Sequence, residues 1–139
     1  MPVLTDQDQR ALLEALDDEY KAWTTYDQVI TDFGQQRPFT HIRASEARHI
    51  EALAAVARHH GLEVPPNPWP GRVPRFTSLQ QACEAGAQAE RENRALHERL
   101  LASITCPELR AVLERLQEAS EDRHLMAFER CTTRPHGQA

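Results

Sequence analysis

Residues 61–76 read Gly-Leu-Glu-Val-Pro-Pro-Asn-Pro-Trp-Pro-Gly-Arg-Val-Pro-Arg-Phe, and five of these residues are proline. Because proline fixes φ and lacks a backbone N–H, the stretch is predicted to be extended rather than helical. In a polyproline II conformation it would reach roughly 50 Å, whereas a helix of 22 to 28 residues is about 33 to 42 Å long. The stretch can therefore cross the full length of a helical bundle.

Two helices are predicted on each side of this crossover, since apolar residues recur at helical spacing over residues 6–33, 39–60, 77–103 and 107–131. The connections within each pair are short, which predicts two antiparallel hairpins. No segment alternates apolar and polar residues, so no sheet is expected. We predict one all-α domain over residues 1–139, with a crossover at 61–76 and a short tail at 132–139. A flexible linker between two domains is disfavoured, because neither half alone could bury its apolar stripe.

Composition limits the classes of partner. The formal net charge is -5, and basic residues are scattered among acidic ones, which argues against nucleic-acid binding. There is no apolar run of about 18 residues and no signal-peptide pattern, so we expect no membrane segment and a cytoplasmic location. Cys83, Cys106 and Cys131 are an odd number at no metal-ligand spacing, and we expect them to be reduced core residues rather than a disulfide framework.

The motif Glu-x-x-His occurs twice, and a lone glutamate on a helical segment precedes each copy. The six residues are Glu19, Glu46, His49, Glu90, Glu121 and His124. Residues three apart share a helix face, and the lone glutamates fall in the core-facing rows of their helices. Burying an ionised carboxylate without a partner costs several kcal/mol. Four carboxylates would balance the charge of two divalent cations, so this set predicts a dinuclear metal site in the core.

Carboxylate and imidazole ligands together suit iron or manganese better than zinc or magnesium. We therefore expect two iron ions, with manganese or a mixed iron–manganese pair as the alternative. Neighbouring side chains that would contact the ligands are Tyr20, Trp23, Tyr26 and Asn93. A different interpretation stays open, in which the same glutamates and histidines form ion pairs with arginines such as Arg48, Arg94 and Arg123 and bind no metal.

These six residues, with the long connection after the second helix, resemble the ferritin-like diiron-carboxylate superfamily, which includes ferritin, bacterioferritin and rubrerythrin. The similarity extends over nearly the whole chain, and residues 39–49 and 60–62 are also similar to a small ferritin-like branch known as a domain of unknown function. The resemblance implies a ferritin-like four-helix bundle. It also implies that the two motif glutamates bridge both metals, that each motif histidine binds one metal, and that Glu19 and Glu90 are terminal ligands.

Departures from the better-known relatives narrow the expected function. Asn93 stands where rubrerythrins carry a further glutamate, there is no Cys-x-x-Cys pair, and the chain lacks the fifth helix of storage ferritins. We therefore expect a monomer or homodimer rather than a 24-subunit cage. The resemblance implies a ferroxidase, or an oxidoreductase that reduces peroxide with an external electron donor, acting on oxygen or hydrogen peroxide. No pocket for bulky organic substrates is expected. The alternative is a non-catalytic bundle that holds manganese, zinc or copper as a buffer or a structural metal.

Overall fold

The computed structural model describes residues 4–133, apart from the side chains of Glu121 and Asp122. Its helices are α1 (Asp6–Phe33), α2 (Phe39–His59), α3 (Leu79–Ser103), α4 (Pro107–Ala119), a π-helical turn (Ser120–His124) and α5 (Leu125–Thr133). No strand occurs among residues 4–133, which confirms the prediction of an all-α chain. No helix in this range is long and apolar enough to cross a membrane. The predicted tail at 132–139 is helical up to Thr133, and residues 134–139 lie outside the described range.

The start of α1 is fixed by a capping box that also ties two parts of the chain together. The Thr5 hydroxyl accepts a hydrogen bond from the backbone N–H of Asp8, and the Asp8 carboxylate accepts one from the N–H of Thr5. Such a cap satisfies N–H groups that have no partner inside the helix. Asp8 is fully buried and also accepts a hydrogen bond from the Thr105 N–H at 2.8 Å. The α3–α4 connection is thereby held at the N-terminus of α1.

Side-chain contacts give the directions of the helices. Between α1 and α2, Tyr26 contacts Phe39 and Glu19 contacts His49, so the partner number rises as the α1 number falls. The two helices are therefore antiparallel. The α3 helix and the α4–α5 segment are also antiparallel, since Ser120 bonds Asn93 and Cys131 pairs with Cys83. The α2 helix is likewise antiparallel to this segment, because they meet through the pairs Ser45–His124 and His60–Glu108.

It follows that α2 and α3 point in the same direction, and the segment between them must run along the bundle. That segment lies against α1. The Tyr20 hydroxyl donates to the Pro65 carbonyl at 2.6 Å, and the Asn67 amide donates to the Thr24 hydroxyl at 2.8 Å. Farther along, Arg75 forms an ion pair with Asp32 near the end of α1. The proline-rich stretch therefore makes the long traverse for which its extended conformation suits it.

The buried side chains form two apolar clusters with a polar layer between them. One cluster is built around Leu12, Leu53 and Leu113 at one end of the bundle. The other is built around Tyr26, Phe39 and Phe128, whose rings contact one another. Carboxylates and imidazoles occupy the level between the clusters, so apolar packing on both sides fixes the helices that carry them.

The segment predicted as one continuous helix over 107–131 contains a π-helical turn. The backbone N–H of Leu125 bonds the carbonyl of Ser120, five residues earlier. Such turns insert one extra residue into an α-helix and are frequent at functional sites. Here the turn contains Glu121 and His124, the second Glu-x-x-His motif.

The prediction of three reduced cysteines is wrong for two of them. Cys83 on α3 and Cys131 on α5 form a disulfide, with their Cα atoms 5.7 Å apart. The pairing arises from the antiparallel contact of the two helices across 48 positions of sequence, which spacing alone does not reveal. Cys106 is a free, buried thiol, as expected.

Candidate metal centre

Five of the six predicted ligands have described side chains, and all five lie in the polar layer. Glu19, Glu46 and Glu90 are at most 5% exposed, and His49 and His124 are at most 8% exposed. The sixth predicted ligand, Glu121, belongs to the π-helical turn, and its side chain lies outside the described part of the structure. The structure thus brings together residues from α1, α2, α3 and the π-helical turn.

The five residues form two groups of three that share Glu46. In the first, Nδ1 of His49 lies 3.3 Å from Oε2 of Glu19 and 3.8 Å from Oε2 of Glu46. In the second, Nδ1 of His124 lies 3.3 Å from Oε1 of Glu46 and 3.4 Å from Oε1 of Glu90. The two oxygens of Glu46 therefore face different histidines. This is the disposition of a carboxylate that bridges two metal ions.

The hydrogen-bonding pattern of His124 fits a metal ligand. Its Nδ1 atom is buried and close to two carboxylate oxygens, yet it makes no hydrogen bond with any side chain that the structure describes. A buried polar atom without a partner normally costs free energy. Coordination would satisfy this nitrogen, and the carboxylate–imidazole donor set is one that iron and manganese accept.

The ion-pair alternative with arginines does not describe these carboxylates. In the described part of the chain, Glu19, Glu46 and Glu90 form no ion pair with an arginine, and their charged neighbours are the two histidines. The carboxylates are therefore not neutralised by guanidinium groups.

Ser45 contacts both histidines and was not among the predicted site residues. Its Oγ lies 3.3 Å from Nε2 of His49 and 3.1 Å from Nε2 of His124. When Nδ1 binds a metal, Nε2 carries the proton and donates it. A serine oxygen has two lone pairs, so it can accept both N–H groups at once. Ser45 could have been found from its position on α2, one residue before Glu46 and four residues before His49.

The carboxyl groups of Glu19 and Glu46 have pKa values shifted in opposite directions. Burial, together with the charge of Glu46, raises the pKa of Glu19 to about 8. Burial also opposes ionisation of Glu46, but its contacts with Glu19 and with both histidines hold its pKa below the ordinary value. Without metal, Glu46 is thus the ionised member of the pair and Glu19 the protonated one.

Both histidines are protonated in the metal-free site. Burial alone would lower the pKa of His49, but hydrogen bonds to Glu19 and Glu46 and their charges raise it to about 10. Burial acts in the same direction on His124, and its contacts with Glu46 and Glu90 raise the pKa to about 9. Protons therefore occupy the positions at which a metal ion would otherwise balance the carboxylates.

A second layer of polar contacts surrounds Glu90. The Tyr26 hydroxyl donates to Oε1 of Glu90 at 3.4 Å. Asn93 accepts a hydrogen bond from Ser120 at 2.9 Å and donates one to Asp18 at 2.6 Å. Burial and the charge of Glu19 raise the pKa of Asp18 to about 6. Tyr26 and Asn93 were among the predicted neighbours of the ligands, whereas Asp18 was not predicted, because the adjacent Glu19 was assigned as the ligand.

The other two predicted neighbours point elsewhere. The Tyr20 hydroxyl bonds the crossover at Pro65. Trp23 is half-buried and makes no hydrogen bond or ring contact with any described site residue. Neither residue is placed to act on the site through a direct contact.

A cavity of about 90 Å³ reaches Glu46 and Glu90 from the side of α1 and α3. Its lining includes the polar residues Asp18 and Asn93 and the aromatic residues Phe39 and Phe76. Pockets for drug-sized ligands occupy about 300 to 1,000 Å³. This cavity suits a few water molecules or a small oxidant.

A separate group lies at one end of the bundle. Glu108, in the first turn of α4, contacts Nδ1 of His59 at 2.9 Å and Nε2 of His60 at 2.8 Å. An acid near a helix N-terminus and cations near a C-terminus are each favoured by the helix dipole. These contacts link the end of α2 to the start of α4.

Comparison with known proteins supports the fold alone. No family model and no curated protein matches the chain. The structure is similar to the crystal structure of hypothetical protein MJ0754 from Methanococcus jannaschii DSM 2661, with a TM-score of 0.80 and 19% sequence identity. The similarity covers 95% of this chain and 82% of the other.

Proposed function

We propose that this protein is a ferritin-like dinuclear metal protein that binds two iron ions and reacts with oxygen or hydrogen peroxide. One observation carries the proposal: the two oxygens of Glu46 face two histidines, and each histidine has a further glutamate beside it. A single structural metal needs only one such group. The duplication supports a pair of ions with Glu46 between them.

The topology supports the ferritin-like assignment. Two antiparallel helix pairs are joined by a long crossover, which is the connectivity of ferritin-like folds rather than of an up-down-up-down bundle. The ligands come from four successive helical segments. The structural likeness to MJ0754 adds support for the arrangement of helices and none for an activity.

The roles of the residues follow from their contacts. Bound Fe(II) ions would supply the electrons that reduce the oxidant. Glu19 with His49, and Glu90 with His124, would each hold one ion, and Glu46 would hold both. Ser45 would keep the proton of each imidazole on Nε2, so that both Nδ1 atoms stay free to bind. Tyr26 would donate to Glu90 and limit its rotation.

The cavity beside Glu46 and Glu90 supports the choice of oxidant. Its volume of about 90 Å³ admits oxygen or hydrogen peroxide. An organic substrate of ordinary size would need several times that volume. We therefore expect oxidation of Fe(II) and no oxygenation of bulky compounds.

The test is a count of metal ions followed by a rate measurement. Protein loaded anaerobically with Fe(II) should contain two ions per chain, and Glu46→Ala should lose both with the helical content unchanged. Glu114→Ala, an exposed glutamate on α4, is the matched control and should keep two ions.

On mixing with oxygen or peroxide, stopped-flow absorbance should show formation of Fe(III) in the control and not in Glu46→Ala. Two ions bound without any oxidation would favour the non-catalytic metal protein instead. Unchanged binding in Glu46→Ala would refute the bridging site.

A further inference from the structure

A second, larger cavity lies on the opposite side of the two histidines from the carboxylates. It has a volume of about 410 Å³ and opens between α2 and the π-helical turn with α5. Ser45 and His124 line its inner wall. A neighbouring cavity of about 260 Å³ shares Ser45 and also reaches His49. The first volume falls within the range of small-molecule binding sites.

The walls of the larger cavity are strongly cationic. Its charged lining consists of Arg37, Arg48, Arg123 and Arg130, together with His41. The neighbouring cavity shares two of these arginines and adds Arg115. Among the described residues, no aspartate or glutamate lines either cavity. The formal net charge of the chain is -5, yet the described charged residues that line these two cavities are all basic.

Several of these guanidinium groups have no carboxylate partner. In the described part of the chain, Arg48, Arg123 and Arg130 form no side-chain hydrogen bond and no ion pair. Other arginines do form ion pairs, for example Arg43 with Asp27 and Arg99 with Glu14. The guanidinium groups of Arg48, Arg123 and Arg130 are therefore available to an external anion. Guanidinium groups bind phosphate and carboxylate oxygens through paired hydrogen bonds.

We propose that this cavity, with Arg48, Arg123 and Arg130 at its walls, binds a small molecule that carries a multiply charged oxyanion. Its volume admits more than one inorganic phosphate ion, so the class includes phosphate esters and polycarboxylates. Several converging arginines favour a charge of two or more on the ligand. A bound oxyanion would contact the side of the site that Ser45 shares with the histidines.

The connection of this ligand to metal chemistry rests on the proposed function, whereas its binding does not. The experiment therefore uses the metal-free full-length protein, prepared with a chelator that is then removed. Binding of inorganic phosphate and of citrate is measured by isothermal titration calorimetry at about 0.15 M KCl, where the Debye length is about 8 Å and diffuse attraction is screened. The two probes distinguish the phosphate source from the polycarboxylate source.

The test variant is Arg48→Gln with Arg130→Gln, which leaves Arg123 beside the proposed ligand His124 unchanged. The matched control is Arg10→Gln with Arg72→Gln, which removes the same charge from exposed positions outside the cavity. We expect at least one probe to bind the wild type and the control equally, and to bind the test variant at least tenfold more weakly.

Two results would overturn the proposal: no binding of either probe to the wild type, or the same weakening in both double variants. Circular dichroism is measured on the same samples, and Fe(II) content is measured on separate portions of each protein after anaerobic loading. Loss of metal binding with retained oxyanion binding would refute the proposed function and leave this site standing. Absence of oxyanion binding in the wild type, with metal binding retained, would refute this site and leave the proposed function standing.

Discussion

Metal binding should release close to three protons at pH 7. A metal ligand must give up its proton, and the metal-free site holds protons on Glu19, His49 and His124. The pKa values of these groups are about 8, about 10 and about 9. At pH 7 protonation is therefore about 0.9 for Glu19 and about 1 for each histidine. At pH 9 the three together hold roughly 1.5 protons, since Glu19 is then mostly ionised and His124 half ionised.

The same numbers fix the pH dependence of the apparent affinity. Each proton that must leave makes the affinity rise tenfold per pH unit, so the total affinity for the pair of ions should rise about a thousandfold between pH 6 and pH 7. Around pH 9 the rise should be roughly thirtyfold per unit. These slopes reflect the contacts of Nδ1 with Glu19, Glu46 and Glu90.

The assay is anaerobic calorimetric titration with Mn(II) in two buffers with different heats of ionisation. The Glu108→Ala background removes the surface group that includes His59 and His60, so the remaining heat comes from the buried centre. Release of fewer than one proton at pH 7, or equal release at pH 7 and pH 9, would refute the assignment of the protons to these ligands.

Three further predictions concern Ser45, Gly86 and the pH dependence of stability. Ser45→Ala should weaken metal binding, measured by equilibrium dialysis, about 10- to 100-fold with the fold intact, because both Nε2–H groups lose their acceptor. Ser45→Thr, which keeps the hydroxyl, should bind metal within severalfold of the wild type in the same measurement. Gly86→Ala should reduce the free energy of unfolding in urea by about 1 to 3 kcal/mol, since its Cβ would lie 2.6 Å from the buried Phe128 ring. Phe128→Leu added to Gly86→Ala should recover part of that loss, and equal losses in the single and the double variant would contradict the clash. The melting temperature of the metal-free protein should fall as pH rises from about 6.5 to about 10. The reason is that the raised pKa values of His49, His124 and Glu19 mean that the folded state holds more protons than the unfolded one. A melting temperature that rises over that range would contradict these pKa shifts.

The helices could be predicted from sequence because residues close together in the chain mark them. The apolar spacing over residues 6–33 predicted α1 with the bounds that the structure shows, where Thr5 and Asp8 cap its start and Gly34 follows its last turn. The prolines of residues 61–76 implied a crossover. The ligand set followed from charges placed in core-facing rows, where an unpaired carboxylate is costly. Each of these inferences depends on residues close together in sequence.

The features that were missed depend on contacts between distant parts of the chain. Ser45 matters because the π-helical turn brings His124 within 3.1 Å of it. The partner of Cys83 is chosen by the packing of α3 on α5. Asp18 faces Asn93 across the α1–α3 contact. No residue type in Ser-Glu-Asp-Arg-His marks a π-helical turn in advance.

The π-helical turn also corrects the angular phase of the fourth helical segment. In an uninterrupted α-helix each residue advances about 100°, so Leu116 and Phe128, twelve positions apart, would point about 120° away from each other. Both are buried. Absorbing one residue in the turn reduces the effective separation to eleven, and the two directions then differ by only about 20°. Converting the turn to regular α-helix without removing a residue would therefore rotate everything beyond it by about 100°, taking Phe128 and the cysteine that pairs with Cys83 off the core-facing side. Deleting one residue from the turn would instead restore regular hydrogen bonding and leave both residues facing the core.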